Sequence, residues 1–151
     1  MNVQQKNKEK GFTIIEVVLV LAIAGLIFLM VFIALPALQR NQRDTQRKND
    51  LTRAQTAVNN YQTNNRNQLP TFNDDFIDKY LKTGGDSFDD PTREQYHFFV
   101  SAGEPVFDTD LARVYVATGK TCAGESLADA GARKVALRLK LEGGGIACVN
   151  N

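Results

Sequence analysis

The chain has 151 residues, 18 of them basic and 17 acidic, and a formal net charge of +1 at pH 7. Once its apolar N-terminal stretch is set aside, that length supports one modest domain, and so even a charge balance gives no reason to expect a dedicated nucleic-acid binder. Trp is absent and His occurs once. No nucleophile–base pairing, phosphate-cradling glycine loop or Cys/His metal set is present, so the composition points away from an enzyme, a cofactor and a metal site.

The first predicted element is a helix. Lys6, Lys8 and Lys10 precede Gly11-Phe12-Thr13-Ile14-Ile15-Glu16, and the residues from Val17 to Leu38 carry no charge and no amide. As a helix this apolar run would span roughly 33 Å, about one bilayer. Glu16 stands just inside it, where an unpaired charge costs on the order of 2.5 to 3.5 kcal/mol, and that cost predicts a partner. An ordinary cleaved secretory signal has a shorter apolar centre and a small-x-small site after it. Here Gln39-Arg40-Asn41-Gln42 follows, so the helix is expected to stay on the protein. Lysines precede the span and Arg40, Arg43, Arg47 and Lys48 follow it, so charge alone does not orient it. Gly25 and Pro36 weaken the helix, Pro36 by removing the hydrogen bond to the Phe32 carbonyl.

A short basic leader, then Gly11, Phe12, Thr13, two apolar residues, Glu16 and a long apolar run resembles the class III signal of type IV pilins and their pseudopilin relatives. The resemblance implies a leader of residues 1–11, removed by a membrane-bound prepilin peptidase that cuts between Gly11 and Phe12 on the cytoplasmic side, and N-methylation of Phe12. Gly11 has no side chain to obstruct a protease at that bond. The cut creates an ammonium at Phe12, one helical turn before Glu16. By resemblance, Glu16 pairs with the Phe12 amine of a neighbouring subunit during assembly. A simpler role for Glu16 stands beside this one, as an acid favoured at a helix N-terminus. By resemblance too, the helix between Gly25 and Pro36 melts in the filament; Pro36 otherwise marks the membrane exit.

Leu51, Ala54, Ala57, Val58 and Tyr61 recur at intervals of three and four, with Arg53, Gln55, Asn59 and Gln62 opposite, so the helix is predicted to continue, now amphipathic, through residues 39–64. Heptads do not persist, which sets a coiled coil aside. Arg40, Arg43, Arg47, Lys48 and Arg53 read as a solvated face, with lipid headgroups, acidic loops of a neighbouring subunit or DNA as sharper alternatives. Residues 65–95 are predicted to connect helix and sheet. Within them Thr71 to Leu81 suits a short helix capped by Asn73 or Asp74 and stopped by Gly84-Gly85. Asp86, Asp89 and Asp90 are either part of a turn made with Pro91 or calcium ligands, although they lack the spacing of an EF-hand loop. An Asp-Pro before an aromatic strand is similar to the helix-to-sheet connection of pseudopilins and some pilins.

Residues 96–151 are predicted to form the sheet. Tyr96–Val100 and Arg113–Ala117 are strand-like. Lys134–Glu142 alternates, with Val135, Leu137, Leu139 and Leu141 on one face and Arg138 and Lys140 on the other. After Gly143-Gly144-Gly145, Ile146–Val149 returns as the last strand. His97 reads as a structural or surface residue. Cys122 and Cys148 can pair, and the resemblance implies a C-terminal disulfide bounding a surface loop that includes Ala123 to Ala132.

The expected fold is therefore α+β and pilin-like: a long N-terminal helix, transmembrane in residues 12–38 and amphipathic beyond, packed on a small antiparallel sheet of three to four strands. The resemblance implies a structural subunit of a type IV pilus serving adhesion, motility or DNA uptake. A pseudopilin of a type II-like secretion system and a minor or competence pilin that binds DNA remain alternatives. Implied partners are further copies of the chain in a helical filament, the cytoplasmic membrane, the prepilin peptidase, the assembly platform and minor pilins, and an extracellular surface or DNA. The N-terminus would be cytoplasmic and the head extracytoplasmic before assembly, and the pilus would then lie outside the cell.

Overall fold

The computed structural model describes residues 11–101, 103–107 and 109–151; the basic leader before Gly11, with Lys6, Lys8 and Lys10, lies outside them. The chain divides into two units, one ending at Leu38 and the other Gln39–Asn151. Helix α1 runs Ile14–Asn64 and includes Pro36.

In the second unit the helical stripe does what its periodicity requires. Leu51, Ala54, Ala57 and Val58 are buried, and they form one core with side chains from the connecting segment and the sheet. Helix α2, Asp74–Tyr80, is capped by Asn73, whose side chain accepts the Phe76 N–H at 3.1 Å. It carries Phe76 and Ile77 into the core beside Phe88 and Tyr96. A single 3-10 turn, Thr83–Gly85, follows it.

Six strands complete the unit: β1 His97–Ser101, β2 Arg113–Thr118, β3 Lys120–Ala123, β4 Ser126–Asp129, β5 Val135–Lys140 and β6 Ile146–Asn150. The main sheet has the order β1-β2-β5-β6. It is mixed, not antiparallel: β1 runs parallel to β2, with Phe98 opposite Val114, while β2–β5 and β5–β6 are antiparallel. The long segment between β1 and β2 explains the difference, since it lets the chain cross over before pairing, whereas a tight hairpin forces reversal. Val114, Val116, Leu137 and Leu139 face α1.

The opposite sheet face is also covered, which alternation alone did not predict. The expected loop of residues 123–132 contains β4, and Cys122 lies on β3, in a separate two-stranded hairpin. Arg138, expected on a solvated face, is only 2 % exposed. Its guanidinium hydrogen-bonds Glu104 and the Glu125 carbonyl and lies 5.0 Å from the Phe107 ring centroid. The hairpin and residues 104–107 thus shield Tyr115, Ala117 and Ala136 from water, each of which is buried.

Cys122 and Cys148 form a disulfide with Cα atoms 5.9 Å apart, joining β3 to β6. Replacing both cysteines with serine is expected to cost roughly 3 to 4 kcal/mol, because the open chain regains the entropy of the closed loop. Denaturant unfolding of the oxidised protein against the double variant measures it, and overlapping curves would refute a stabilising bridge.

Candidate functional site

The first described residues are those at which the resemblance places the leader junction. Gly11 and Phe12 precede the helix in exposed, non-helical chain, and the Phe12 side chain is 90 % exposed. Thr13 and Glu16 close the helix end. The Glu16 carboxylate accepts hydrogen bonds from the Thr13 N–H and the Thr13 hydroxyl, both at 2.8 Å, and the Glu16 N–H points back to the Thr13 hydroxyl oxygen at 3.4 Å. This is a capping box, a Thr and a Glu three apart that each satisfy backbone donors a helix start leaves open. The simpler role for Glu16 is therefore realised in the isolated chain. Thr-x-x-Glu before an apolar run was the signal for it.

From Val17 to Leu38 the helix is apolar on every side. Its large side chains, among them Leu19, Ile23, Phe28 and Phe32, are exposed, and α1 contains a window of mean hydropathy 3.2 with none of it buried. A helix hydrophobic all round belongs in lipid or in a protein core. Gly25 and Pro36 both lie within it in helical conformation.

A family model described as the prokaryotic N-terminal methylation motif matches residues 6–32, which contain Gly11, Phe12, Thr13, Glu16 and the apolar run as far as Phe32. The chain is type IV pilin-like. No curated protein and no solved structure matches it significantly. In this pilin-like chain the helix that carries the motif is long and apolar enough to anchor the chain in a membrane before assembly.

The pilin-like head holds a second constellation, which the basic segment after Leu38 conceals in sequence. Arg47, expected on a solvated face, has no exposed surface. Its guanidinium grips Asp90 through two bonds, Nε to Oδ1 at 2.6 Å and Nη2 to Oδ2 at 2.9 Å, and also reaches Asp44 at 3.0 Å and Glu142 at 3.4 Å. Asp44 in turn accepts the backbone N–H groups of Glu142 and Gly143 at 2.8 and 2.7 Å. A Cβ at Gly143 would come within 3.0 Å of that carboxylate, so a side chain there would press on Asp44. Arg43 holds Glu142 with two bonds, at 2.7 and 2.6 Å. Arg53 pairs with Asp50 at 3.4 Å and lies 5.8 Å from the Phe88 ring centroid. The basic residues thus fasten α1 to residues 86–92 and to the β5–β6 turn.

Asp90 is consumed by this work. It accepts the Thr92 N–H and hydroxyl as well as Arg47, so it serves the turn with Pro91. Among the described residues no group of three His, Cys, Asp or Glu is placed to hold a metal ion. Gln62, expected on the outer face of α1, is buried between the Arg133 carbonyl, at 2.9 Å, and the Asn151 amide, at 2.6 Å.

The carboxylates of this cluster resist protonation unequally. Hydrogen bonds from Arg43 hold Glu142 down to about 2 against some desolvation, with Arg47 adding to the effect. Burial pushes Asp90 up, but bonds from Arg47 and Thr92 outweigh it and keep it below the usual range. Burial raises Asp50 and, on the phenol side, Tyr96. A depressed carboxylate stabilises the fold fully above its unfolded value and loses that contribution as pH falls through its folded one. For Glu142 the window runs from the ordinary 4.5 down to about 2. Denaturation midpoints are expected to fall with pH across that window, and Glu142→Gln is expected to flatten the fall; an unchanged slope in the variant would rule Glu142 out as its source.

Proposed function

We propose that this chain is the structural subunit of a type IV pilus. A prepilin peptidase hydrolyses the Gly11–Phe12 amide on the cytoplasmic side, leaving a carboxylate on Gly11 and an ammonium on Phe12 that is then N-methylated. The assembly platform and minor pilins draw the processed chain from the cytoplasmic membrane into a filament of identical copies, which serves adhesion, motility or DNA uptake outside the cell. The observation that carries this proposal is the helix beginning at Ile14, whose first turns lie within a matched methylation motif and whose large apolar side chains are exposed out to Leu38. Lipid covers such a helix first, and packed copies of itself cover it afterwards. In a neighbouring subunit the Phe12 ammonium would take over part of the Glu16 carboxylate from Thr13.

The Cys122–Cys148 bridge favours a pilus over the pseudopilin alternative, in which a calcium-bound loop would replace it. The DNA-binding alternative is weakened because Arg43, Arg47 and Arg53 are spent on Glu142, Asp90 and Asp50. Electron microscopy of cells lacking the protein tests the proposal. Loss of surface filaments is the expected result; filaments intact with protein export lost would establish a pseudopilin instead.

A further inference from the structure

The groove between the outer face of α1 and the helix α2 with its following turn is built from groups suited to sugar. Three adjoining clefts run along it, of about 360, 340 and 330 Å³, and Tyr80 lines all three. Pockets of that size are in the range that takes small ligands. The Tyr80 ring is held in place from behind, stacked on Phe76 at 5.5 Å and edge-on to Tyr61 at 5.4 Å, so it offers a fixed apolar surface at the middle of a polar groove.

The polar lining is unusual for an exposed helix face. Where solvent alone would favour Lys, Glu or Ala, α1 presents Asn49, Thr52, Thr56, Asn60 and Thr63, which are weak helix formers. Among the described residues the side chains of Asn49, Asn60 and Thr83 and the Tyr80 hydroxyl make no hydrogen bond, so nothing within the chain requires these residue types. Thr52, Thr56 and Thr63 each donate to the carbonyl four residues back, which commits their protons and leaves acceptor capacity on their oxygens. The charged groups at the groove come as opposite pairs, Lys79 with Asp75 at 2.9 Å and Arg53 with Asp86 at 3.7 Å. Amides and hydroxyls around a braced aromatic, with charge cancelled, match the alternating hydroxyls and apolar ring face of an uncharged sugar. They do not match a phosphate backbone, which needs uncancelled cations.

We propose that this groove binds a neutral oligosaccharide, with Tyr80 stacking on one pyranose ring and Asn60 hydrogen-bonding its hydroxyl or acetamido groups. The site lies wholly within residues 49–86 and does not depend on filament assembly. The test is calorimetric titration of the full chain, solubilised in a detergent without a sugar headgroup, with chitotriose and with maltotriose. Saturable binding of at least one is expected. Tyr80→Ala is expected to weaken it about thirtyfold, the cost of removing a central aromatic anchor, whereas Tyr80→Phe should preserve most of it. Because Tyr80 also braces Phe76 and Tyr61, Asn60→Ala, an exposed change with no internal partner to lose, provides the second reading and should weaken binding with the unfolding midpoint unchanged. Absence of binding by both sugars overturns the proposal, as does binding that ignores both Tyr80→Ala and Asn60→Ala. Variants that bind no less sugar but fail to build filaments also overturn it, and would assign the groove to a neighbouring chain.

Discussion

Glu16→Ala is expected to leave leader removal intact and to reduce assembled filaments to a small fraction of the wild-type yield. Glu16 sits beyond the proposed cut at the Gly11–Phe12 bond, so processing, read as the mobility shift of the mature chain, should survive. Assembly differs because the new Phe12 ammonium would enter apolar packing without a counter-charge. An uncompensated charge in such surroundings costs roughly 2.5 to 3.5 kcal/mol, which corresponds to more than about fiftyfold at each addition step. The capping box supplies the discriminating control. Glu16→Gln keeps an acceptor for the Thr13 N–H and hydroxyl while abolishing the charge. Filaments lost in both variants identify the charge as the requirement; filaments restored by Gln would reduce Glu16 to a helix cap and refute the pairing. Replacing Gly11 with a bulky residue should stop the sequence one step earlier, at the uncut chain.

The second large effect lies in the head. Arg47→Ala should destabilise it by about 3 to 5 kcal/mol, because Asp90 and Asp44 would be left buried without their cation. Against the 5 to 15 kcal/mol that ordinarily separates folded from unfolded domains, a change of that size brings the head close to unfolding at modest temperature. The loss comes from the stranded acids more than from the guanidinium itself. Arg47→Met combined with Asp90→Asn should therefore recover much of it, since the amide oxygen introduced by the second change still accepts from Thr92 and the methionine fills the space apolarly. Chemical denaturation of the single and double variants decides between them: a double variant as unstable as Arg47→Ala would refute the stranded-charge explanation.

The N-terminal half of this protein was legible because each of its features is local. The capping signature, the apolar run and the residue order from Gly11 to Glu16 are read within a few turns of one helix, and so is the stripe from Leu51 to Val58. Long-range features were harder. Arg47 looked like one more cation in a basic segment, yet it stands four residues before Leu51, on the buried stripe, with Asp44 a further turn back. That register was the available signal, and it is weak because a buried arginine needs acids from Asp90 and Glu142 that no periodicity brings together. The parallel pairing of β1 with β2 was hidden for a similar reason: strand direction depends on the path of the connecting segment, and Phe98 to Val100 reads the same in either direction. Arg138 alternated as an outward residue should, and only the hairpin laid over that face, through Glu104 and the Glu125 carbonyl, made outward mean buried.

The place where the basic segment is fastened also has a mechanical meaning. Arg40, Arg43, Asp44 and Arg47 meet Glu142, Asp90 and the Gly143 amide before the helix reaches its first buried apolar side chain, Leu51. A pull applied to the N-terminal side of this segment arrives at those ion pairs ahead of the hydrophobic core. Several of them are two-pronged and bear load side by side, so one bond can open and re-form while its partner holds. The head is thus tethered through a rivet of charge that can slip and recover, with the apolar packing behind it spared the first strain.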